Sequence, residues 1–416
     1  MSVLWFHRTE DLTHAGCAPD AFLMHPLLYF FCAVNFVIGT GAFVLPGIIG
    51  MVAEGLGASV AATGQAMTVY AVATALIVPL LLLATGAWSR RSVILLALTL
   101  FSAGSIVSAL APNLAGLMVG RVLMGLGAAF TPVAAGVALV LSDPAKRGQA
   151  LALVFMGMSL SYVIGLPVGA WIGAHWGWRA SLGAAAALSV LTLLLLWWRL
   201  PRQLQVPGTS FKGVAALLKR ADVMAVLALT LLYFTAIFTV FSYIGPVLQA
   251  LAPMPAAQMS WTLALFGVSG VVGTLCGGAA NDRFGARRSI SVQLSVMVLT
   301  MVVLPFTQGH WGVMLTVMLV WGVAGFGMMA PQQSRLAAMA PKETPMLLSL
   351  NSSMLYLGMA LGAAVGGAAS AGLGFARLSW VGAVAAALAL LLLWFGPQVR
   401  ATPAAALATG LAAPRS

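Results

Sequence analysis

Charge is what this 416-residue sequence has least of: Asp, Glu, Lys and Arg together make up 7% of it, and only 8 of its residues are acidic. A soluble protein covers itself with about a quarter charged residues, so a water-facing surface is excluded for most of this chain. Cysteine is scarce as well. Cys17, Cys32 and Cys276 are odd in number and lack metal-ligand spacing. That pattern rules out a disulfide framework or a zinc site and leaves buried apolar thiols. There is no HExxH pair, and His175 and His310 fall in loops. With no nucleophile, base or metal ligands converging, nothing argues for an enzyme, a metal or a cofactor. A filter-like backbone run and a ring of like charge are also missing, which argues against a channel. The first residues carry Glu10, Asp11 and Asp20 before any apolar run, the wrong order for a cleaved signal peptide, and Met24 is an alternative start.

What the sequence does have is hydrocarbon. Hydrophobic residues make up 61% of the chain and its mean hydropathy is +1.03, values expected of a polytopic membrane protein embedded in a lipid bilayer. The net charge of +12 raises the question of nucleic acid, but no basic helix face interleaved with aromatics exists to bind it. The Lys and Arg residues lie between apolar runs and read as topology signals.

Hydropathy predicts twelve spans: 27–51, 60–84, 92–111, 114–141, 149–173, 177–198, 222–250, 257–280, 289–308, 311–336, 347–373 and 376–396. The expected class is an all-α membrane protein of two pseudo-symmetric six-helix bundles. Its parts are an N-terminal arm (1–26), a first bundle (27–198), a linker (199–221), a second bundle (222–396) and a tail (397–416). The linker is the only long polar break and holds Arg202, Lys212, Lys219 and Arg220. Arg90, Arg91, Lys146, Arg147, Arg283, Arg287, Arg288, Arg335 and Lys342 fall on the same side as that linker, whereas the opposite loops hold only Arg179 and Arg377. The positive-inside rule therefore places both termini in the cytoplasm, and a bacterial-type inner membrane is the expected location.

The two halves repeat at an offset of about 200 residues. Pro46 matches Pro246, Gly125-Leu126-Gly127 matches Gly325-Phe326-Gly327, Arg90-Arg91-Ser92 matches Arg287-Arg288-Ser289, and Gly177-Trp178 matches Gly374-Phe375. Copies with an even number of spans share one orientation, as in transporters whose halves are related by an axis along the membrane normal. Glycines in span five (Gly157, Gly165, Gly169, Gly173) and span eleven (Gly358, Gly362, Gly366) predict close helix packing. Leu-rich spans three, six and twelve are expected to face lipid.

Arg121 is the one ionisable side chain placed well inside a span. A guanidinium in hydrocarbon costs at least about 2.5 kcal/mol, so it calls either for a water-filled cavity or for snorkelling and backbone carbonyls as partners. Position alone leaves both open.

The run Gly278-Ala279-Ala280-Asn281-Asp282-Arg283-Phe284-Gly285-Ala286-Arg287-Arg288 resembles the cytoplasmic signature loop of the major facilitator superfamily. Arg121 with Gly125 resembles that family's helix-four motif, and Gly165-Leu166-Pro167-Val168-Gly169 its helix-five motif in efflux members. Ala111-Pro112-Asn113, Lys146-Arg147-Gly148 and Gly39-Thr40 resemble the arabinose-efflux-permease-like branch of twelve-span drug:proton antiporters.

The resemblance implies a monomeric secondary transporter that exports a small solute by alternating access and proton antiport. Uncoupled facilitation, or import by the same fold, is the alternative. It also implies a cavity lined by spans one, four, seven and ten, where Asn35, Thr40, Arg121, Tyr233, Thr235, Tyr243, Trp321, Gln332 and Gln333 lie, and a gate formed by Gly278, Asp282, Arg283, Gly285, Arg287, Arg288, Arg90 and Arg91. Each polar cavity candidate could instead simply bond a neighbouring helix. Two departures stand out: Ala42 occupies a position where that branch often carries a carboxylate, and Thr85 stands where the second-half loop has Asp282. Asp282 is expected to meet the positive end of helix five, near Gln149, and hold the cytoplasmic side closed. The lining is poor in charge and suits a neutral or amphipathic solute; the aromatic run Tyr233, Phe234, Phe238, Phe241, Tyr243 could hold an apolar or planar one, but its spacing is explained first by ordinary helix packing.

Overall fold

The structure, a computed structural model, describes residues 25–143, 146–201, 217–340 and 343–397. Cys17, Arg202, Lys212, Lys342, the residues before His25 and the tail from 398 lie outside the described residues.

Twelve helices are long and apolar enough to cross a membrane. They are α1 (Pro26–Gly55), α2 (Val60–Ala84), α3 (Arg90–Ala109), α4 (Leu114–Val140), α5 (Arg147–Trp176), α6 (Trp178–Arg199), α7 (Ala221–Phe241), α8 (Ala256–Phe284), α9 (Ala286–Thr307), α10 (Trp311–Met339), α11 (Thr344–Leu373) and α12 (Phe375–Phe395). In lipid every backbone amide needs an internal partner, and helices supply it. Starts are set by side-chain caps: Ser59 accepts from the Ala62 amide (3.1 Å), Ser89 from Ser92 (3.2 Å) and Asn113 from Gly116 (2.9 Å). Tight turns into α6 and α12 rest on Gly177 (φ 84°) and Gly374 (φ 70°), a repeated pair at a backbone angle that side chains disfavour.

Prolines shape the interior. π-helical turns at Ala73–Ile77 and Ser161–Gly165 precede Pro79 and Pro167 and absorb the missing amides without ending α2 or α5. α7 stops at Phe241 and resumes as a short helix, Ile244–Leu251, that contains Pro246.

Small residues pack as expected. A methyl group on Gly157, Gly165, Gly169 or Gly173 of α5 would collide with Cys32, Thr40, Val44 or Ile48 of α1, one turn after another. Gly358, Gly362 and Gly366 of α11 meet Leu231, Thr235 and Thr239 of α7 in the same way. α6 and α12 do face outward, through Leu191, Leu194, Trp197 and Trp198, and through Leu388, Leu391, Trp394 and Phe395. α3 differs from its expectation. Gly104 lies against the backbone of Gly120 and Met124, so α3 is held against α4. α5 and α8 instead carry much of the outward apolar surface, with Phe155, Ile164 and Val168, and Val268, Val272 and Leu275. Leucine content marks a helix as apolar but does not say which side is covered.

Even span counts put both ends of each half on one side, called the terminal face below; the other is the far face. The halves join through the far face. Gly245 approaches the Pro46 and Gly47 carbonyls, Gly267 approaches Tyr162, and Thr68 donates to the Ala360 carbonyl (3.3 Å). Toward the terminal face the second half builds its own cluster from Leu217, Val223, Val226, Leu227, Leu336, Met339, Ala340 and Leu347, with no first-half member. Among the described residues the halves are therefore parted on the terminal face and sealed on the far face.

Candidate functional site

Arg121 lies two turns into α4 from its Asn113 cap and is fully buried (0% exposed). Its Nη1 donates to the carbonyls of Gly41 (3.1 Å) and Ala42 (3.2 Å) in α1. Those acceptors have a cause. Pro46 has no N–H, so the carbonyl four residues earlier, that of Ala42, lacks its helical donor. Nε and Nη2 of Arg121 have no partner among the described residues. Tyr70 of α2 lies within electrostatic reach. The guanidinium faces the protein interior, and of the two sequence readings the carbonyl partnership is the one this conformation displays.

The other cavity candidates separate into groups. Asn35 ties three helices together: its Nδ2 donates to the Val154 carbonyl (2.9 Å) and its Oδ1 accepts from Thr131 (2.7 Å). The second half repeats the device, with Gln332 Nε2 donating to Thr230 (2.8 Å) and to the Val226 carbonyl (2.7 Å), and Thr230 donating to Asn351 (2.6 Å). Each buried triad joins the first, fourth and fifth helices of its half, so Asn35 and the Gln332 amide nitrogen are engaged within the bundles. Gln332 Oε1 has no partner among the described residues.

Thr40 packs against Gly165 with its hydroxyl unpartnered among the described residues, and Thr235 donates to its own helix at Leu231 (2.8 Å). Gly169 sits against Val44, and Pro167 follows the π turn. Tyr233 and Trp321 are buried with unpartnered polar atoms, Trp321 beside Phe266 (5.1 Å). Tyr243 belongs to the far-face seam, where its hydroxyl donates to the Ala363 carbonyl (2.8 Å) and meets Gln65 (3.5 Å). Gln333 is exposed.

The signature-loop residues divide likewise. Asp282 is exposed and accepts from Asn281 (3.3 Å). It does not reach α5, contrary to the expected contact, because the halves are parted on that face. Arg91 donates to the Leu200 and Trp197 carbonyls (both 2.8 Å), and Arg287 to Trp394 (3.2 Å) and Leu393 (3.4 Å). Each closes the C-terminal end of the last helix of its own half, where orphan carbonyls and the negative end of the helix dipole favour a cation. Arg90 is buried, Arg283 lies over the Phe284 ring (5.2 Å), Arg288 is exposed, and Gly285 turns at φ 79°. Gly278 has open space around it.

Residues on other spans complete the middle of the molecule. Tyr162 of α5 stacks on Phe43 of α1 (4.7 Å) and meets Phe241 of α7 (5.7 Å) and Phe326 of α10 (5.1 Å) edge-on. Tyr70 lies within electrostatic reach of Tyr162 and of Tyr356 on α11. Reading only spans one, four, seven and ten passes over these three tyrosines. A signal existed: all three lie mid-span, whereas tyrosine in membrane helices favours the interfaces.

Comparisons with known proteins agree with this arrangement. The sequence profile described as Major Facilitator Superfamily matches residues 31–331 and 226–414. The chain is 34% identical over 366 residues to the inner membrane transport protein YdhP of Escherichia coli (strain K12), covering 87% of this chain and 94% of that one. It is 29% identical over 374 residues to the uncharacterized MFS-type transporter YbcL of Bacillus subtilis (strain 168), covering 89% and 96%. Among solved structures, a D-xylose-proton symporter superposes with a TM-score of 0.74 at 17% identity, covering 90% of this chain and 98% of that one. A bacterial homolog of the human lysosomal transporter Spinster, in an inward-facing and occupied conformation, gives 0.73 at 16%, covering 91% and 98%. Two six-helix halves sealed on one face and parted on the other, a buried guanidinium on α4 and these matches across nearly the whole chain have one common account: this protein belongs to the major facilitator superfamily.

Proposed function

We propose that the protein is a monomeric alternating-access carrier that exports a small solute across a bacterial inner membrane, with both termini in the cytoplasm. The observation that carries the reading is the asymmetry of the seam: contacts between the halves at Gly47–Gly245 and Thr68–Ala360 lie toward one face, and among the described residues none joins Asp282 to α5 at the other. Closing the terminal face would bring Asp282 to the N-terminal end of α5, while opening the far face would break the Tyr243 and Thr68 contacts. The excess of Lys and Arg on the terminal face supports the cytoplasm as the side now open.

For coupling, the resemblance to the drug:proton antiporter branch favours exchange against protons. A second reading, uncoupled facilitation, is favoured by the placement of the carboxylates. Among the described residues Glu54, Asp143, Asp282 and Glu343 are at helix ends or loops, and Asp222 is bound to Arg220 (2.8 Å). Proteoliposomes separate the two. Antiport predicts that an imposed pH gradient drives solute accumulation and that collapsing it abolishes that accumulation. Facilitation predicts equilibration only, with or without the gradient. Absence of any protein-dependent solute flux, with far-face cysteines that never change accessibility, would refute the carrier reading itself.

A further inference from the structure

From the chemistry of the aromatic seam between the two halves we infer the substrate class: an uncharged, planar aromatic or heteroaromatic compound with one or two hydrogen-bonding groups, and not a sugar. The inference rests on the carrier reading above.

The first observation is where the rings are. Tyr162 from the first half and Phe326 from the second meet at 5.1 Å, both half-buried, and behind them Phe43, Phe241 and Phe266 form a buried aromatic wall. This aromatic set spans the two halves near the middle of their helices, and Tyr162 and Phe326 are its half-buried members. Flat rings are complementary to flat rings, in offset or edge-on geometry.

Polar groups form the second observation. The side chains of Tyr70, Tyr162 and Tyr356 lie within electrostatic reach of one another, with Thr74 beside Tyr70 as a hydrogen-bond partner. They can serve the polar edge of a ligand as donors or acceptors.

Charge and amides make the exclusion. Arg121 is wholly buried and turned to the Gly41 and Ala42 carbonyls, and no Asp, Glu, Lys or His bonds to it among the described residues. A cation entering would lose its hydration without gaining a counter-charge, and an anion would meet only a guanidinium that is 0% exposed and turned to backbone carbonyls in this conformation. A sugar needs several side-chain amides or carboxylates to read its ring of hydroxyls. Here Asn35, the Gln332 amide nitrogen, Asn351 and Gln65 are already bonded within the protein. A polyol would meet no carboxylate and few free side-chain amides among the described residues there.

The test uses ligands of one shape and three charges. Nicotinamide, indole-3-carboxamide and quinoline-3-carboxamide serve as uncharged probes, nicotinate as the anion, 1-methylnicotinamide as the cation and D-xylose as the polyol. Dissociation constants are measured by saturation-transfer NMR on purified protein in nanodiscs. At least one uncharged amide is expected to bind saturably, with nicotinate and 1-methylnicotinamide weaker by about tenfold or more and no saturable xylose binding. Tyr162→Leu should weaken the amide by about tenfold, while Tyr162→Phe, which keeps the ring, should stay within about threefold. Phe326→Leu repeats the ring test from the other half if Tyr162→Leu fails to fold. Binding of none of the three amides, equal or tighter binding of either ion or of xylose, or indifference to loss of both rings would overturn the assignment. Amide binding without flux would instead fail the carrier reading and leave the substrate class standing, and xylose flux without amide binding would do the reverse.

Discussion

Pro46 removes from α1 the amide that would have bonded the Ala42 carbonyl, and Arg121, from α4, donates its Nη1 to that same carbonyl at 3.2 Å. One residue creates the vacant acceptor and the other fills it. A proline inside a membrane helix is tolerated when a neighbouring helix satisfies the freed group, and here a charged side chain does so.

This coupling is measurable. Pro46→Ala restores the helical donor and makes it compete with Arg121, and Arg121→Leu leaves the carbonyl without its external donor. The two substitutions should be non-additive in unfolding free energy by about 1–2 kcal/mol, because each acts on the same acceptor. Additivity within about 0.3 kcal/mol would show that the contact contributes nothing of its own. Arg121→Lys, which has a single ammonium in place of the fork, should lower the initial transport rate by about tenfold with little change in expression, read by flux in vesicles.

The glycine contacts of α5 predict position-dependent effects. Gly157→Ala places a methyl into the Cys32 carbonyl and Gly165→Ala places one into Thr40. Each should destabilise by about 1–3 kcal/mol in a denaturation assay. Gly372→Ala, with no atom within 4 Å, should be neutral or mildly stabilising.

The second-half polar triad should act on stability rather than on recognition. Asn351→Leu removes the acceptor of Thr230 (2.6 Å) inside a buried network. The expected loss is about 1–2 kcal/mol, with the transport KM unchanged. A KM shift without loss of stability would place Asn351 at the substrate.

Conformational exchange can be blocked at the far face. Thr68 and Ala360 touch across the seam at 3.3 Å, so cysteines at the two positions joined by a short thiol cross-linker should hold the far face shut. Transport should fall to background and return on reduction of a cleavable linker. Undiminished flux after complete cross-linking would mean that this seam does not open.

Asp282 is exposed in the conformation seen here, so Asp282→Asn should leave its thermal stability unchanged. If the carboxylate holds the opposite state through α5, the substitution should lower the labelling rate of far-face cysteines. Equal labelling would confine Asp282 to its surface turn.

Much of the architecture was legible because hydrocarbon imposes simple rules. Span length, the repeat of Pro46 with Pro246 and of Gly177 with Gly374, and the glycine stripes of α5 and α11 are properties of single helices that can be read along the chain. The site was less legible. Asn35 and Gln332, cavity candidates by sequence, engage their own bundles, while Tyr70, Tyr162 and Tyr356, on helices two, five and eleven, lie within electrostatic reach of one another. A polar residue in a span must find a partner, but the sequence does not say whether that partner is another helix or a solute.

The sequence by itself determined that the chain crosses a bilayer twelve times as a duplicated pair of six-helix units, because apolar length and Lys and Arg bias are local quantities that need no partner. Only the tertiary structure decided that Arg121 bonds a carbonyl freed by Pro46, that the far face is the sealed one, and that the middle of the molecule is aromatic and short of free charge. Each of these depends on which helix faces which across distances of a few ångströms between residues far apart in the chain, and hydropathy carries no information about that choice.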